Sequence, residues 1–342
     1  MHNLAVQEQS IPDGEQRLSF SATGSEYFRI WIVNLLLTIV TLGIYSAWAK
    51  VRRTQYFYGS TRLAGSSLEY HGNPIAILKG RIIAVVLIAA YQYAPQISLT
   101  AGIVAFAVFA AVMPLMVWKS MQFKLYNTSY RGIRFGFNGS VAKAYGYFLA
   151  FPLLFGTLIL APFAHHRIKR FQVTESRYGS RQFGFDAPVG GFYAIWVGMF
   201  VAWLVIAFGA GFLAVALGKS MGPQTMVWLP FLMALVMMAF APLAFCLLQN
   251  LVWNHVTIGE HEFRSDMKVG KVIWIQLTNL LGIMLTVGLF TPFAQVRWTK
   301  YRLESMSLIV NGSLDEFVAG QAEYQDAAGE GVADIFDLDI AL

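Results

Sequence analysis

"EYFRIWIVNLLLTIVTLGIYSAWAKVRR", residues 26 to 53, decides the architecture. From Tyr27 to Trp48 it holds the roughly 20 apolar residues that one bilayer crossing needs, and it then runs into a basic cluster. Two backbones suit it. One is a continuous span. The other enters the membrane and returns, with Gly43 at the turn. The rest of the chain shares the character of this stretch. It has 342 residues, 56% hydrophobic and 13% charged, with a mean hydropathy of +0.53. Soluble domains carry about 25% charged residues, so this composition predicts a polytopic membrane protein. Six more apolar runs follow, at Ile82–Ala94, Leu99–Trp118, Ala144–Phe163, Phe192–Leu217, Met226–Trp253 and Val272–Phe293.

The end of the opening stretch recurs. "YSAWAKVRRTQY" (45–56), "LAPFAHHRIKRF" (160–171) and "FTPFAQVRWTKY" (290–301) align without gaps. Trp48, Phe163 and Phe293 coincide, each followed by Ala; Arg52, Arg167 and Arg297 lie four residues on; Tyr56, Phe171 and Tyr301 lie eight on. Asn34 and Asn279 each stand 14 residues before their aromatic. Such self-similarity reads as internal duplication. A second recurrence interleaves with it. "LSFSATGS", "SLEYHGNP", "IRFGFNGS", "RQFGFDAP", "EHEFRSDM" and "LIVNGSLD" are short alternating segments, each with an aromatic or branched residue before a polar turn residue. Most follow another extended piece and a glycine, the pattern of a β-hairpin. The marker residues are Phe20, Tyr70, Phe137, Phe185, Phe263 and Val310, which makes His71, Asn138, Asp186 and Arg264 equivalent turn or cap positions.

These patterns predict an all-α polytopic fold of about seven apolar segments with short β-hairpin insertions, in about two and a half repeats. Residues 1–17 form a polar segment without the basic start and apolar core of a cleavable signal. Repeat 1 covers 18–134 and repeat 2 covers 135–262, each with three apolar segments. Residues 263–314 are a partial third repeat with one, and 315–342 are an acidic tail whose composition predicts disorder.

Residues 26–53, "RGIRFGFNGS" and the closing "GLFTPFAQVRWTKYR" resemble the YjgN-like inner-membrane proteins of bacteria. The resemblance covers about residues 18–315. It implies a multi-pass protein of the bacterial inner membrane and supplies no activity, substrate or catalytic residue. Where the related phrase has Pro then Trp, this chain has Ala47–Trp48, Pro162–Phe163 and Pro292–Phe293.

Charge tests the two backbones, because cytoplasmic loops are enriched in Lys and Arg. Seven crossings divide the 25 basic residues 15 to 10 between the two sides. If runs 1, 4 and 7 enter and return, with breaks at Gly43, at Gly156 and Pro152, and at Gly282 and Gly288, the division is 24 to 1, Lys219 being the exception. That arrangement also lets the hairpins pair into one sheet. The length of the runs favours seven spans. Both arrangements place the C-terminus in the cytoplasm.

Arg52, Arg167 and Arg297, with Trp48, Phe163 and Phe293, form the strongest recurrent set. Interfacial snorkelling explains it, and lipid-headgroup binding is the functional alternative. Asn34 and Asn279 are the recurrent intramembrane polar pair, suited to bonds between helices. His165 and His166 point about 100° apart on a helix and align with Lys50–Val51 and Gln295–Val296, so they read as a membrane-boundary pair rather than a metal site. Cys246 reads as a buried hydrophobe. No motif of a nucleophile, phosphate-binding loop, metal or cofactor stands in the chain, so no catalytic residue is assigned and an enzyme is the less favoured class. The expected partners are membrane lipids and not nucleic acid, with a protein partner conceivable for the acidic tail. Transport or handling of a lipid-like or amphipathic solute is the first functional expectation. A non-catalytic scaffold or envelope-stress factor is the second.

Overall fold

The structure is a computed structural model that describes residues 14–151, 159–221 and 240–321. The opening stretch is not one continuous helix. Helix α1 (Gly24–Val40) ends at a tight turn, and α2 (Ser46–Gly59) runs back beside it. The turn is a Schellman motif: the Gly43 amide reaches Thr38 O at 2.8 Å and the Leu42 amide reaches Ile39 O at 3.1 Å. Leu42 and Gly43 hold φ of 49° and 94°. Run 7 repeats this construction. Helix α9 (Val269–Leu285) turns at Val287 and Gly288, with φ of 49° and 92°, and α10 (Thr291–Glu304) returns. In both turns a threonine oxygen accepts from the amide four residues on, Thr41 from Tyr45 at 2.9 Å and Thr286 from Phe290 at 2.8 Å. Leu42 and Val287, at the two tips, are 94% and 93% exposed. Apolar side chains that bare have a place in lipid and not in water. Of the breaks read from sequence, Gly43 and Gly288 are real. Gly282 is helical and packs under Phe290. Gly156 and Pro152 lie outside the described residues. Run 4 starts as α5 (Val141–Tyr145) and a π turn at Gly146–Ala150, and it leaves as α6 (Ala161–Thr174).

Among the described residues, three helices are long and apolar enough to cross a membrane: α3 (Pro74–Ile97), α4 (Leu99–Tyr126), and Val189–Leu213 within α7 (Val189–Met221). Helix α8 (Phe240–Trp253) is a shorter apolar helix at the end of run 6, whose earlier part lies outside the described residues. Seven spans and an all-α fold are therefore both corrected. The length argument failed because an apolar run measures only how much chain lipid can accept, not whether that chain is one helix or two.

The hairpins are not insertions. They form one sheet of eleven strands, ordered β1-β11-β10-β9-β8-β7-β6-β5-β4-β3-β2. Strands β1 (Gly14–Arg17) and β2 (Ser19–Phe20) are the two halves of one extended segment. The first half pairs with β11 (Met306–Val310), the second with β3 (Thr61–Leu63), so the sheet closes on itself as a near-barrel. Closure removes the edges that an open antiparallel sheet exposes. It also moves Gly14–Arg17 out of the polar terminal segment and into the fold. The other strands come as hairpins of one design, three residues, two turn residues, then five: β3–β4 (Ser66–Tyr70), β5–β6 (Thr128–Tyr130, Ile133–Phe137), β7–β8 (Ser176–Tyr178, Arg181–Phe185) and β9–β10 (Val256–Ile258, His261–Ser265). In the first two hairpins both turn residues have positive φ, Ala64–Gly65 and Arg131–Gly132, the type I′ geometry that matches strand twist.

A helix begins four residues after each of Phe20, Tyr70, Phe137, Phe185, Ser265 and Val310. At four of these junctions a side chain caps the helix: Thr23, Asn73, Ser140 and Ser313 accept from amides two or three residues on. The fifth marker is thus Ser265 and not Phe263, and its turn residue is Asp266 and not Arg264. "HEFRSD" lacks the Phe-Gly-Phe that anchors the register of the neighbouring copies.

Side chains fill the barrel. Leu63, Tyr130, Tyr178 and Ile258 hold the same position in the four hairpins and meet inside; the Tyr130 hydroxyl donates to Leu63 O at 2.8 Å and that of Tyr178 to Tyr130 O at 3.0 Å. The distal end, at the hairpin turns, is covered by α11 (314–321). Phe317 stacks on Tyr178 and meets His261 edge-on, Asp315 pairs with Arg131 at 2.6 Å, and Gln321 accepts from the Ser180 amide at 2.8 Å. Residues 315–321 therefore belong to an ordered helix. The remainder of the acidic tail lies outside the described residues.

Candidate functional site

The helices below the sheet form a second layer, and α1 packs against α10 as it does against α2, so first and last repeats meet here too. Gly24 makes the contact close: a Cβ there would collide with Phe293. Between α1, α2, α3 and α4, where the helices leave the apolar zone, lies a cavity of about 660 Å³. On α2 it takes Lys50, Arg53, Thr54 and Phe57, the i, i+3, i+4, i+7 face. Helix α1 contributes Trp31, Asn34 and Leu35, α3 contributes Arg81, and α4 contributes Ser120, Phe123 and Lys124. Tyr58 and Tyr70 lie toward the sheet. Gln295 of α10 closes one side, its amide oxygen accepting from the Tyr27 hydroxyl at 3.0 Å.

Four lining residues are cationic and none is a carboxylate. Arg81 donates to the Ser46 hydroxyl. Lys50 and Lys124 have no ion-pair partner among the described residues. Burial pushes the Lys50 amine below its ordinary range, and Arg81 and Lys124 push it further. Yet Lys50 and Lys124 keep accessible side chains. The positive charge continues beyond the cavity. Lys169 of α6 is lowered by burial first and then by Arg302 and Lys124, and Arg302 of α10 is lowered by burial. Arg302 has a neutral partner, donating to Gln249 Oε1 at 2.9 Å. Lys169 of the second basic phrase and Arg302, one residue past the third, thus extend the positive charge around Lys124. Tyr70, which burial and the neighbouring Tyr58 push up to about 12, stays a hydroxyl donor.

The recurrent residues singled out by sequence lie elsewhere. Arg52, on the face of α2 away from the cavity, donates to the Tyr45 hydroxyl at 3.1 Å, and Tyr45 stacks on Trp48. The Arg167 guanidinium lies over the Phe163 ring at 5.1 Å. Arg297 donates to Asn279 Oδ1 at 2.9 Å and to the Thr278 hydroxyl at 3.1 Å. Phe293 sits between Phe28 and Phe290. Of these residues the structure brings together Asn279 with Arg297, Arg52 with the Trp48 aromatic pair, and Arg167 with Phe163. It does not assemble the three arginines into one site. Asn34 is the one member that reaches the cavity.

The histidine pair holds α6 to α7. His166 is buried and its Nε2 bonds Ala187 O at 3.0 Å. His165 Nδ1 accepts from the Trp196 indole at 3.3 Å, and burial, aided by Lys169, lowers its pKa to about 4. Among the described residues no group of three or more His, Cys, Asp or Glu is placed to hold a metal ion.

Sequence reasoning reached Arg53 and Lys169 as members of the basic phrases and missed Lys50, Arg81, Lys124 and Arg302 as site residues. None of these four recurs, so alignment of the repeats passes over them. The available signal was a difference between copies: Lys50 and Arg53 stand where the third copy has Gln295 and Trp298.

Comparison with known proteins agrees with the membrane reading. Inner membrane protein YjgN of Salmonella typhimurium is 34% identical over 142 residues, 40% of this chain and 35% of the relative. The proteins of the same name in Escherichia coli O157:H7 and K12 are 27% and 28% identical over 155 residues, 44% of this chain and 37% of each relative. The aligned part thus spans little more than a third of the length of these relatives. No solved structure matches the chain. The family described as bacterial protein of unknown function (DUF898) matches residues 15–335, and the chain belongs to this YjgN-like family.

Proposed function

We propose that this chain is a multi-pass inner-membrane protein that holds or moves an amphipathic, lipid-like solute at the cytoplasmic surface of the bilayer. One observation carries the reading: the cavity sets cations and hydroxyls beside Trp31, Leu35 and Phe123. Its size is within the range of about 300–1,000 Å³ usual for ligand sites. The orientation rests on charge. All hairpins join one sheet, the arrangement that puts 24 of 25 basic residues on one side, and cytoplasmic segments are the Lys/Arg-rich ones. The distal cap α11 and the C-terminal tail then face the cytoplasm.

Lipid profiles of a strain lacking the protein, complemented with wild type or with Lys50→Gln/Lys124→Gln, test the reading. A changed profile restored by wild type alone supports it. An unaltered profile under membrane stress and in normal growth overturns it. A scaffold is the second reading, favoured by the packed side chains inside the barrel. In that case the profile stays unchanged while partner proteins are lost from the membrane fraction.

A further inference from the structure

We infer that the cavity between α1, α2, α3 and α4 is a binding site for a phosphate-bearing headgroup, with the apolar chain of the same molecule lying in a second crevice that shares Gln295. The inference rests on the amphiphile reading above and names the chemistry of its head.

Three features point to phosphate. First, Lys50, Arg53, Arg81 and Lys124 face one space without a carboxylate. Confined cations of like sign repel, and an anion of more than one charge relieves several of them at once. A phosphomonoester carries about −1.5 to −2 charges and three acceptor oxygens, whereas a carboxylate brings one charge. Second, the donors are mixed in the way phosphate uses them: planar guanidinium forks from arginines, ammonium groups from lysines, and hydroxyls from Ser46, Thr54 and Ser120. Third, Asn34 is 6% exposed, lines the cavity, and its Oδ1 is a buried polar atom with no hydrogen-bond partner among the described residues. Buried amides without a partner are rare and mark a place where a ligand or water belongs. The Asn34 amide can accept from a headgroup hydroxyl or, turned over, donate to a phosphate oxygen.

The crevice supplies the apolar half. It has about 360 Å³ between α8, α9 and α10, lined by Pro242, Ile273, Leu277, Leu280, Ile283 and Trp298, with Asn279, Gln276 and Gln295 as its polar side-chain edge. Gln295 lines both spaces. An anionic headgroup on one side of that residue and a hydrocarbon chain on the other match the two linings.

The test uses full-length protein in neutral detergent micelles, followed by calorimetry and by tryptophan fluorescence. Dioctanoyl phosphatidic acid is the probe; dioctanoyl phosphatidylcholine and inorganic phosphate are the comparators. Phosphatidic acid is expected to bind at least tenfold more tightly than phosphatidylcholine. Lys50→Gln/Lys124→Gln is expected to weaken it by about a hundredfold, about tenfold for each charge-assisted contact removed. Arg52→Gln, on the opposite face of α2, leaves binding unchanged. Leu280→Trp, which fills the crevice, weakens phosphatidic acid and not phosphate. Should the double variant fail to fold, bound phosphatidic acid in the wild type must shield Lys50 and Lys124 from acetylation, read by mass spectrometry. Equal binding of phosphatidic acid and phosphatidylcholine, full affinity in the double variant, or unshielded lysines overturns the phosphate site. Inorganic phosphate binding as tightly as phosphatidic acid, with the loss in the double variant intact, keeps the phosphate site and removes the chain in the crevice along with the amphiphile reading.

Discussion

The first and third re-entrant pairs have the same backbone and different interiors. Both turn on a threonine, an αL residue and a glycine, and both bury an asparagine 14 residues before the phrase aromatic. In the third pair the buried asparagine is fully bonded. Asn279 accepts from Arg297 and donates to Ala294 O at 3.2 Å, and Gln295 and Trp298 occupy the next turn of α10. In the first pair Arg52 goes to Tyr45 instead, Asn34 Oδ1 is left without a partner among the described residues, and the places of Gln295 and Trp298 are taken by Lys50 and Arg53. One pair bonds its asparagine to an arginine, and the other sets its asparagine beside cations. The two share a backbone, and the side chains that differ line the cavity.

The comparison can be broken outright at the level of topology. Cysteines placed at the exposed sheet positions Glu69, Gln182 and Glu262 in a Cys246→Ala background are expected to react with an impermeant maleimide from one side of the membrane only. Opposite sidedness of any one of them ends the entry-and-return description of the pairs. Next in size, Lys50→Gln/Arg53→Trp converts the first pair into the likeness of the third. It should abolish phosphatidic acid binding while the melting temperature stays level or rises, because two mutually repelled cations are removed. Asn279→Leu should destabilise the protein by about 2 kcal/mol, the cost of leaving a bonded guanidinium without its acceptor, whereas Asn34→Leu should stay within about 0.5 kcal/mol. Equal losses in thermal unfolding would erase the distinction between the two pairs.

The two turns, by contrast, should behave alike. Gly43→Ala and Gly288→Ala each force an ordinary residue into a left-handed conformation and should each cost about 1 kcal/mol. The smallest effect is in the second copy. His165 is lowered from 6.5 to about 4, so the unfolded chain binds the proton first as pH falls. The stability it contributes is complete above pH 6.5 and declines between 6.5 and about 4. In His165→Leu that part of the decline in melting temperature should be missing; an identical profile would show that His165 does not titrate in this window.

Much of this was legible in the chain. Alternation around glycine located the hairpins, and the recurrent phrases located the helices that leave the membrane, because both are patterns of neighbours a few residues apart. Gly43 and Gly288 were visible as breaks, and the 24-to-1 charge division spoke for re-entry; the length of the runs spoke against it and was the weaker guide. The register of the fifth hairpin was misplaced by two residues because Ser265 offers no aromatic. The candidate site was largely invisible. Repeats draw the eye to Arg52, Arg167 and Arg297, which turn out to brace aromatic rings and an asparagine.

The sequence by itself determined the membrane character of the chain, the alternation of short strands with apolar helices, and the recurrence of basic residues at the ends of apolar runs. These depend on composition and on spacings of two to eight residues. Only the tertiary structure decided that the hairpins close into a ring, with Gly14 opposite Val310, that the run quoted at the outset is two helices joined by a turn, and that Lys50, Arg81 and Lys124 share one cavity. The pairing partners and lining residues are far apart along the chain, and no local pattern states which distant segments meet. What selects the meeting is the burial of sheet edges and apolar faces in the assembled fold, and the cavity is the space that this assembly leaves unfilled.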